Sequence, residues 1–169
     1  LDVMILSNMA VWKSAYTDAI IEERLVNHFR FSIFAVTPDE SQRAYGKPDQ
    51  ARSAREAIEY CVAKNEAAGA PVHLSAYALL YEGNDKEVQK IKDVYWDAVE
   101  EFEVWRPHTW GNLMPKYREV QKERRKCHRV ENLEGTIRVN GDVCVCSMDI
   151  NHNLVLGNMQ SQSFDEIYK

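Results

Sequence analysis

Three cysteines offer the most direct chemistry in this sequence. Cys144 and Cys146 lie one residue apart in NGDVCVCSMD (140–149), and Cys127 lies upstream in RRKCHRVENL. Alternate residues of an extended segment share a face. Cys144 and Cys146 are therefore expected on one face, within reach of Cys127 from the preceding loop. Three convergent thiolates are soft donors of the kind that hold zinc or an iron–sulfur cluster. A closed structural site wants a fourth ligand, from His128, from His152 or from beyond Lys169. The other reading is that these thiols are small buried hydrophobes in a hairpin, and spacing alone leaves both open. The remaining cysteine, Cys61, falls on the apolar stripe of a helix and reads as core.

The elements that must position these residues can be read from periodicity. VMIL (3–6) is a short continuously apolar run, as in a buried strand. A helix is expected over 16–27, with Ala19, Ile20 and Ile21 on its apolar face. FRFSIFAV (29–36) reads as a second strand. TPDE (37–40) then starts a helix, with Thr37 as cap, Pro38 in the first turn and Glu40 closing a capping box. Over 50–68, Ala54, Ala57, Ile58, Cys61 and Val62 repeat as one helical face, and Gly69 is the stop signal. VHLSAYALLY (72–81) is a third strand. Asp85 is the expected cap of a helix over 86–99, with Val88, Ile91, Tyr95, Ala98 and Val99 in register. EFEVWRP (101–107) is a fourth strand, ended by Pro107. Strands separated by helices favour parallel pairing and right-handed crossovers. The first part is thus an α/β layer, either an open sheet or a barrel segment.

After Trp110 the character changes. A polar stretch with a short helix leads to TIRV (136–139) and VCVC (143–146), which flank NGD, a strong hairpin signal. LVLGNM follows, then a second capping box at Ser163 and Glu166. The expected division is 1–115 for the α/β part and 116–169 for a small module that needs a metal or cluster as a staple. Leu1 opens directly into an apolar run and SFDEIYK reads as a helix just starting, so the sequence reads as a fragment.

The 169 residues carry a net charge of −5 with 28% charged residues. That balance argues against a nucleic-acid partner, which needs a basic face; KERRKCHR is one local basic run, most simply a solvated helix end. No apolar run approaches the roughly 20 residues of a membrane span, so no membrane is expected. Four cysteines are too few and too irregular for a secreted disulfide framework, which favours a cytoplasmic setting. No Gly-rich loop follows any strand, so a Rossmann or P-loop site is not indicated.

The C-terminal residues resemble a known module. Cys127, Ile137, Gly141, Asp142, Val143, Cys144 and/or Cys146, Leu156, Gly157, Asn158, Ser163, Glu166, Ile167 and Tyr168 follow the pattern of the SPASM module found at the end of many radical S-adenosylmethionine enzymes. The resemblance implies that Cys127, Cys144 and Cys146 are ligands of an auxiliary [4Fe–4S] cluster. It also implies that residues 1–115 are the C-terminal half of the family's partial (β/α)6, TIM-like barrel. MILSNM, FRFSIFAVTPDESQRAYG, YALLYEGNDKEVQKI and VWRPHTWGN follow in the family's order. On that resemblance Asn8, Ser32 and Arg43 (or Tyr45 in its slot) are S-adenosylmethionine-binding residues, and His108, Trp110 and Asn112 lie at the barrel mouth. The implied chemistry is reductive cleavage of S-adenosylmethionine by a catalytic [4Fe–4S] cluster. The resulting 5′-deoxyadenosyl radical takes hydrogen from a peptide or small-molecule substrate. A donor such as flavodoxin or ferredoxin supplies the electron. The family's CxxxCxxC loop is not among these residues, so the expected activity belongs to a longer parent. The rival expectation is a non-catalytic module stapled by zinc.

Overall fold

The computed structural model describes residues 2–108 and 135–169. Contacts divide the chain into two compact units, Leu1–Pro107 and His108–Lys169. The expected short helix, Trp110, Asn112, Cys127 and His128 lie outside the described residues.

The first unit is mixed α/β. Its elements are β1 (Met4–Ser7), α1 (Ser14–Glu22), β2 (His28–Ile33), α2 (Pro38–Tyr45), α3 (Gln50–Ala67), β3 (His73–Leu79), α4 (Asp85–Tyr95) and β4 (Glu101–Trp105). The four strands pair in the order β1-β2-β3-β4, and every pairing is parallel. Parallel pairing follows from the helix in each connection, since an extended return needs a crossover.

The register sorts the strand residues into two faces. Phe29, Phe31 and Ile33 align with Leu74, Ala76 and Ala78. These residues are buried in one cluster with Ile20 and Ile21 of α1, Ile58 and Cys61 of α3, and Val88, Ile91 and Tyr95 of α4. The helices therefore pack on that face, and the apolar stripe expected for α3 and α4 is what they bury. Burying one Phe or Ile of this set contributes about 1.5–3 kcal/mol.

Local chemistry sets the element ends. Thr37 and Glu40 form the expected capping box, with Pro38 in the first turn. Helix α1 runs from Ser14 to Glu22 rather than over 16–27. Arg24 follows in the left-handed region at φ 52°, a conformation that breaks an L-residue helix. Asp85 is the first residue of α4 rather than its cap, which is Asn84. The Asn84 side chain is engaged in the preceding turn, accepting from Tyr81 N at 2.8 Å and donating to Leu79 O at 2.8 Å.

The second unit holds a three-stranded antiparallel sheet, β5 (Thr136–Ile137), β6 (Asp142–Cys144) and β7 (Val155–Asn158), and a short helix, α5 (Phe164–Ile167). Gly141 takes φ 85° in the turn between β5 and β6, which explains the glycine of NGD. Ser163 and Glu166 form the second capping box. β6 ends at Cys144 instead of running through Cys146. A register shift between Val143 and Cys144 interrupts the alternation, and both residues are fully buried.

Candidate functional site

Two sets of side chains carry chemistry, one in each unit. In the first unit it is the sheet face turned away from the helices. Residues alternate along a strand, so His28, Arg30 and Ser32 of β2 share this face with His73, Ser75 and Tyr77 of β3 and Glu101, Glu103 and Trp105 of β4.

Polar contacts bind the strands together across this face. Arg30 Nη1 lies 3.0 Å from Glu103 Oε2, and its Nη2 lies 3.6 Å from Glu101 Oε2. Arg30 Nε donates to Ser75 Oγ at 3.0 Å, and His28 Nε2 is 2.6 Å from the same hydroxyl. Trp105 Nε1 donates to Glu103 at 3.1 Å, and the Arg30 guanidinium sits 5.2 Å from the Trp105 ring centre. Tyr77 stacks on Trp105 at 4.2 Å. Burial first, then the charges of His73 and Arg30, lower the His28 pKa.

The residues expected to bind S-adenosylmethionine are placed as follows. Ser32 lies near the C-terminal end of β2 and donates its hydroxyl to Tyr77 Oη at 3.0 Å. Asn8 directly follows β1 and accepts from Ala10 N at 3.1 Å, a local turn bond. Both are at the carboxyl ends of parallel strands, where α/β sheets present ligand sites. Arg43 is on α2 and pairs with Glu87 of α4. Tyr45 is half-buried, its ring centre 6.1 Å from that of Phe34 in an edge-on contact, and burial raises its pKa.

The second set is the thiols of the hairpin. Cys144 is fully buried and Cys146 half-buried, and neither is in a disulfide. Thr136 of β5 pairs with Cys144, and Val155 of β7 pairs with it from the other side. Cys146 lies past the strand in a turn closed by Asp149 N donating to Cys146 O at 3.1 Å. Met148 N donates to Cys146 Sγ at 3.4 Å. Arg138 Nη2 donates to Asp149 O at 2.7 Å, while its Nε is buried without an acceptor among the described residues. Hydrogen bonds from Asn153 and Leu154 hold the Asp149 carboxyl below its ordinary pKa.

Residues 127–169 match the SPASM iron–sulfur cluster-binding domain. No curated protein matches the chain. The SPASM segment covers the whole described hairpin, with its two free thiols, and also Cys127. Its donor set suits a cluster: soft thiols, a backbone N–H aimed at one sulfur, and a guanidinium beside the turn. Hydrogen bonds to the sulfurs are one of the protein's means of tuning such centres. Cys61 stands apart from this chemistry. It is fully buried in the first unit, and desolvation, partly offset by Thr17, pushes its thiol up to about 11.

Sequence reasoning missed the polar sheet face, although its signal is present. HFRFSI, HLSAYAL and EFEVW each alternate polar or aromatic residues with apolar ones. That is a strand with one face on a core and the other toward a polar space.

Proposed function

We propose that this chain is part of a radical S-adenosylmethionine oxidoreductase or maturase that acts on a peptide or small molecule. In this reading residues 1–115 belong to the partial (β/α)6 barrel, and 116–169 carry an auxiliary [4Fe–4S] cluster. The observation that carries it is the SPASM match laid over a hairpin with two free thiols. A parallel sheet covered by helices on one face and lined with polar groups on the other supports the barrel part.

Cys127, Cys144 and Cys146 hold the auxiliary cluster. The Met148 N–H orients the Cys146 sulfur, and the Arg138 charge offsets the anionic thiolates. Ser32 and Asn8 contact the ribose and adenosyl part of S-adenosylmethionine. Arg43, paired with Glu87, would meet the cofactor carboxylate. S-adenosylmethionine with its own cluster supplies hydrogen abstraction, and the protein orients it and excludes water. That catalytic cluster needs a CxxxCxxC loop, which Cys61, Cys127, Cys144 and Cys146 do not form. The loop belongs to a longer parent, with flavodoxin or ferredoxin as the electron donor.

Two experiments test this. Anaerobic reconstitution with iron and sulfide is expected to give a brown protein absorbing near ~400 nm. Cys127→Ala, Cys144→Ala and Cys146→Ala are each expected to lower bound iron, and Cys61→Ala is not. A colourless protein holding about one zinc ion points instead to a structural zinc module. For the radical part, DNA on both sides of the reading frame is sequenced. A CxxxCxxC codon run upstream is expected, and an in-frame start at Leu1 overturns the radical reading.

A further inference from the structure

We propose that His28, His73 and Glu101 form a binding site for a divalent transition-metal ion of the zinc class. The three residues open β2, β3 and β4, and parallel register brings them to one edge of the sheet. One ligand atom from each lies within 4.8 Å of the others. Tetrahedral bonds of about 2.0–2.1 Å bring such atoms to about 3.3 Å. The closure needed is a small rotamer change, available to His73 and Glu101, whose side chains are 42% and 48% exposed.

Three features favour a cation here over a simple polar edge. The first is orientation. Glu100 Oε2 lies 2.5 Å from His73 Nδ1, leaving Nε2 facing Glu101 Oε2 at 3.7 Å. A carboxylate on the far nitrogen is how ligating histidines are fixed and made more basic. The second is charge. Arg30 pairs with Glu101 and Glu103, and Glu100 pairs with His73, so three carboxylates share one guanidinium beside these imidazoles. Arg30 also lies closer to Glu103 than to Glu101, at 3.0 against 3.6 Å, so Glu101 can turn to a metal while Arg30 keeps its nearer partner. The third is donor type. Two imidazoles and one carboxylate suit zinc, cobalt or nickel better than magnesium or calcium. Three protein ligands leave a position open to water or an added ligand.

This site is in the first unit and has no sulfur, so it stands or falls separately from the thiol centre. The test is a Co2+ titration of the full chain, followed by Zn2+ competition. Cobalt bound by Cys127, Cys144 or Cys146 shows thiolate-to-cobalt charge transfer; cobalt on His28, His73 and Glu101 does not. Wild type is expected to bind one more cobalt than His73→Asn or Glu101→Gln, with the thiolate band unchanged in all three. Glu100→Gln is expected to weaken this cobalt about 10-fold, by freeing the His73 ring. Equal cobalt counts in wild type and Glu101→Gln overturn the site, since this half-exposed substitution leaves the core untouched. A site that takes Mg2+ as tightly as Zn2+ also overturns it, because that is the behaviour of an acidic edge.

Discussion

Ser32 Oγ and Tyr77 Oη are hydrogen-bonded at 3.0 Å across β2 and β3, both buried, on the polar face of the sheet. Each hydroxyl satisfies the other, so removing one leaves a buried polar atom unpaired. Ser32→Ala and Tyr77→Phe are each expected to destabilise the first unit by about 1–3 kcal/mol. The double variant is expected to cost less than the sum, with a coupling of about 1 kcal/mol. Urea unfolding of the four proteins measures it, and full additivity would show that the two hydroxyls do not depend on each other.

Glu40 links helices α2 and α4 through Lys90, at 2.8 Å. Burial raises its pKa, but bonds from Lys90, Val36 N and Thr37 outweigh it and hold the carboxyl at about 2. A depressed folded pKa means that the stabilisation is full above the unfolded value, near 4.3. It is lost as pH falls from about 5 toward 2. Glu40→Gln is expected to cost about 2 kcal/mol at pH 7 and little at pH 2, discounted for the exposed lysine end. Thermal melts across that range check it, and an equal loss at both ends of the range contradicts it.

Gly135 leaves room for Tyr168. A Cβ built there would overlap Tyr168 Oη and lie 3.1 Å from its Cζ. That hydroxyl is buried with no hydrogen-bond partner among the described residues. Gly135→Ala is expected to destabilise the SPASM segment by about 1–3 kcal/mol. Tyr168→Phe, which removes only an unpaired group, is expected to be neutral or slightly stabilising. The double variant should recover part of the loss, because the ring carbon stays close. Amide exchange of residues 135–169 reads all three.

Cys61 is expected to resist thiol reagents at pH 8 in the folded chain, because desolvation keeps it a thiol. Cys146, half-exposed in its turn, should react in cluster-free protein. Mass mapping of the labelled cysteines distinguishes them. Cys61→Ala should lower stability by about 1–2 kcal/mol without changing bound iron.

Local rules make much of this protein legible in its sequence. Thr37, Pro38 and Glu40 announce α2, and Ser163 with Glu166 announces α5, because a cap depends on residues only three apart. The NGD turn marks the hairpin because Gly141 must take a positive φ. The α3 stripe identifies Cys61 as core because helical period and burial coincide. The pattern around Cys144 and Cys146 likewise marks the SPASM segment, since a module of this size writes its turns and thiols in one short run.

Tertiary structure decided what depends on register and on competing partners. Asn84 rather than Asp85 occupies the cap position of α4, and its amide makes no cap bond because it is held by Tyr81 N and Leu79 O in the preceding turn. β6 stops at Cys144, because a shift against β7 turns two consecutive side chains inward, where simple alternation predicts one. Above all, His28, His73 and Glu101 lie far apart in sequence, and nothing in any one strand announces their meeting. Only the parallel alignment of three strands, set by the apolar face beneath them, brings these side chains to one edge of the sheet.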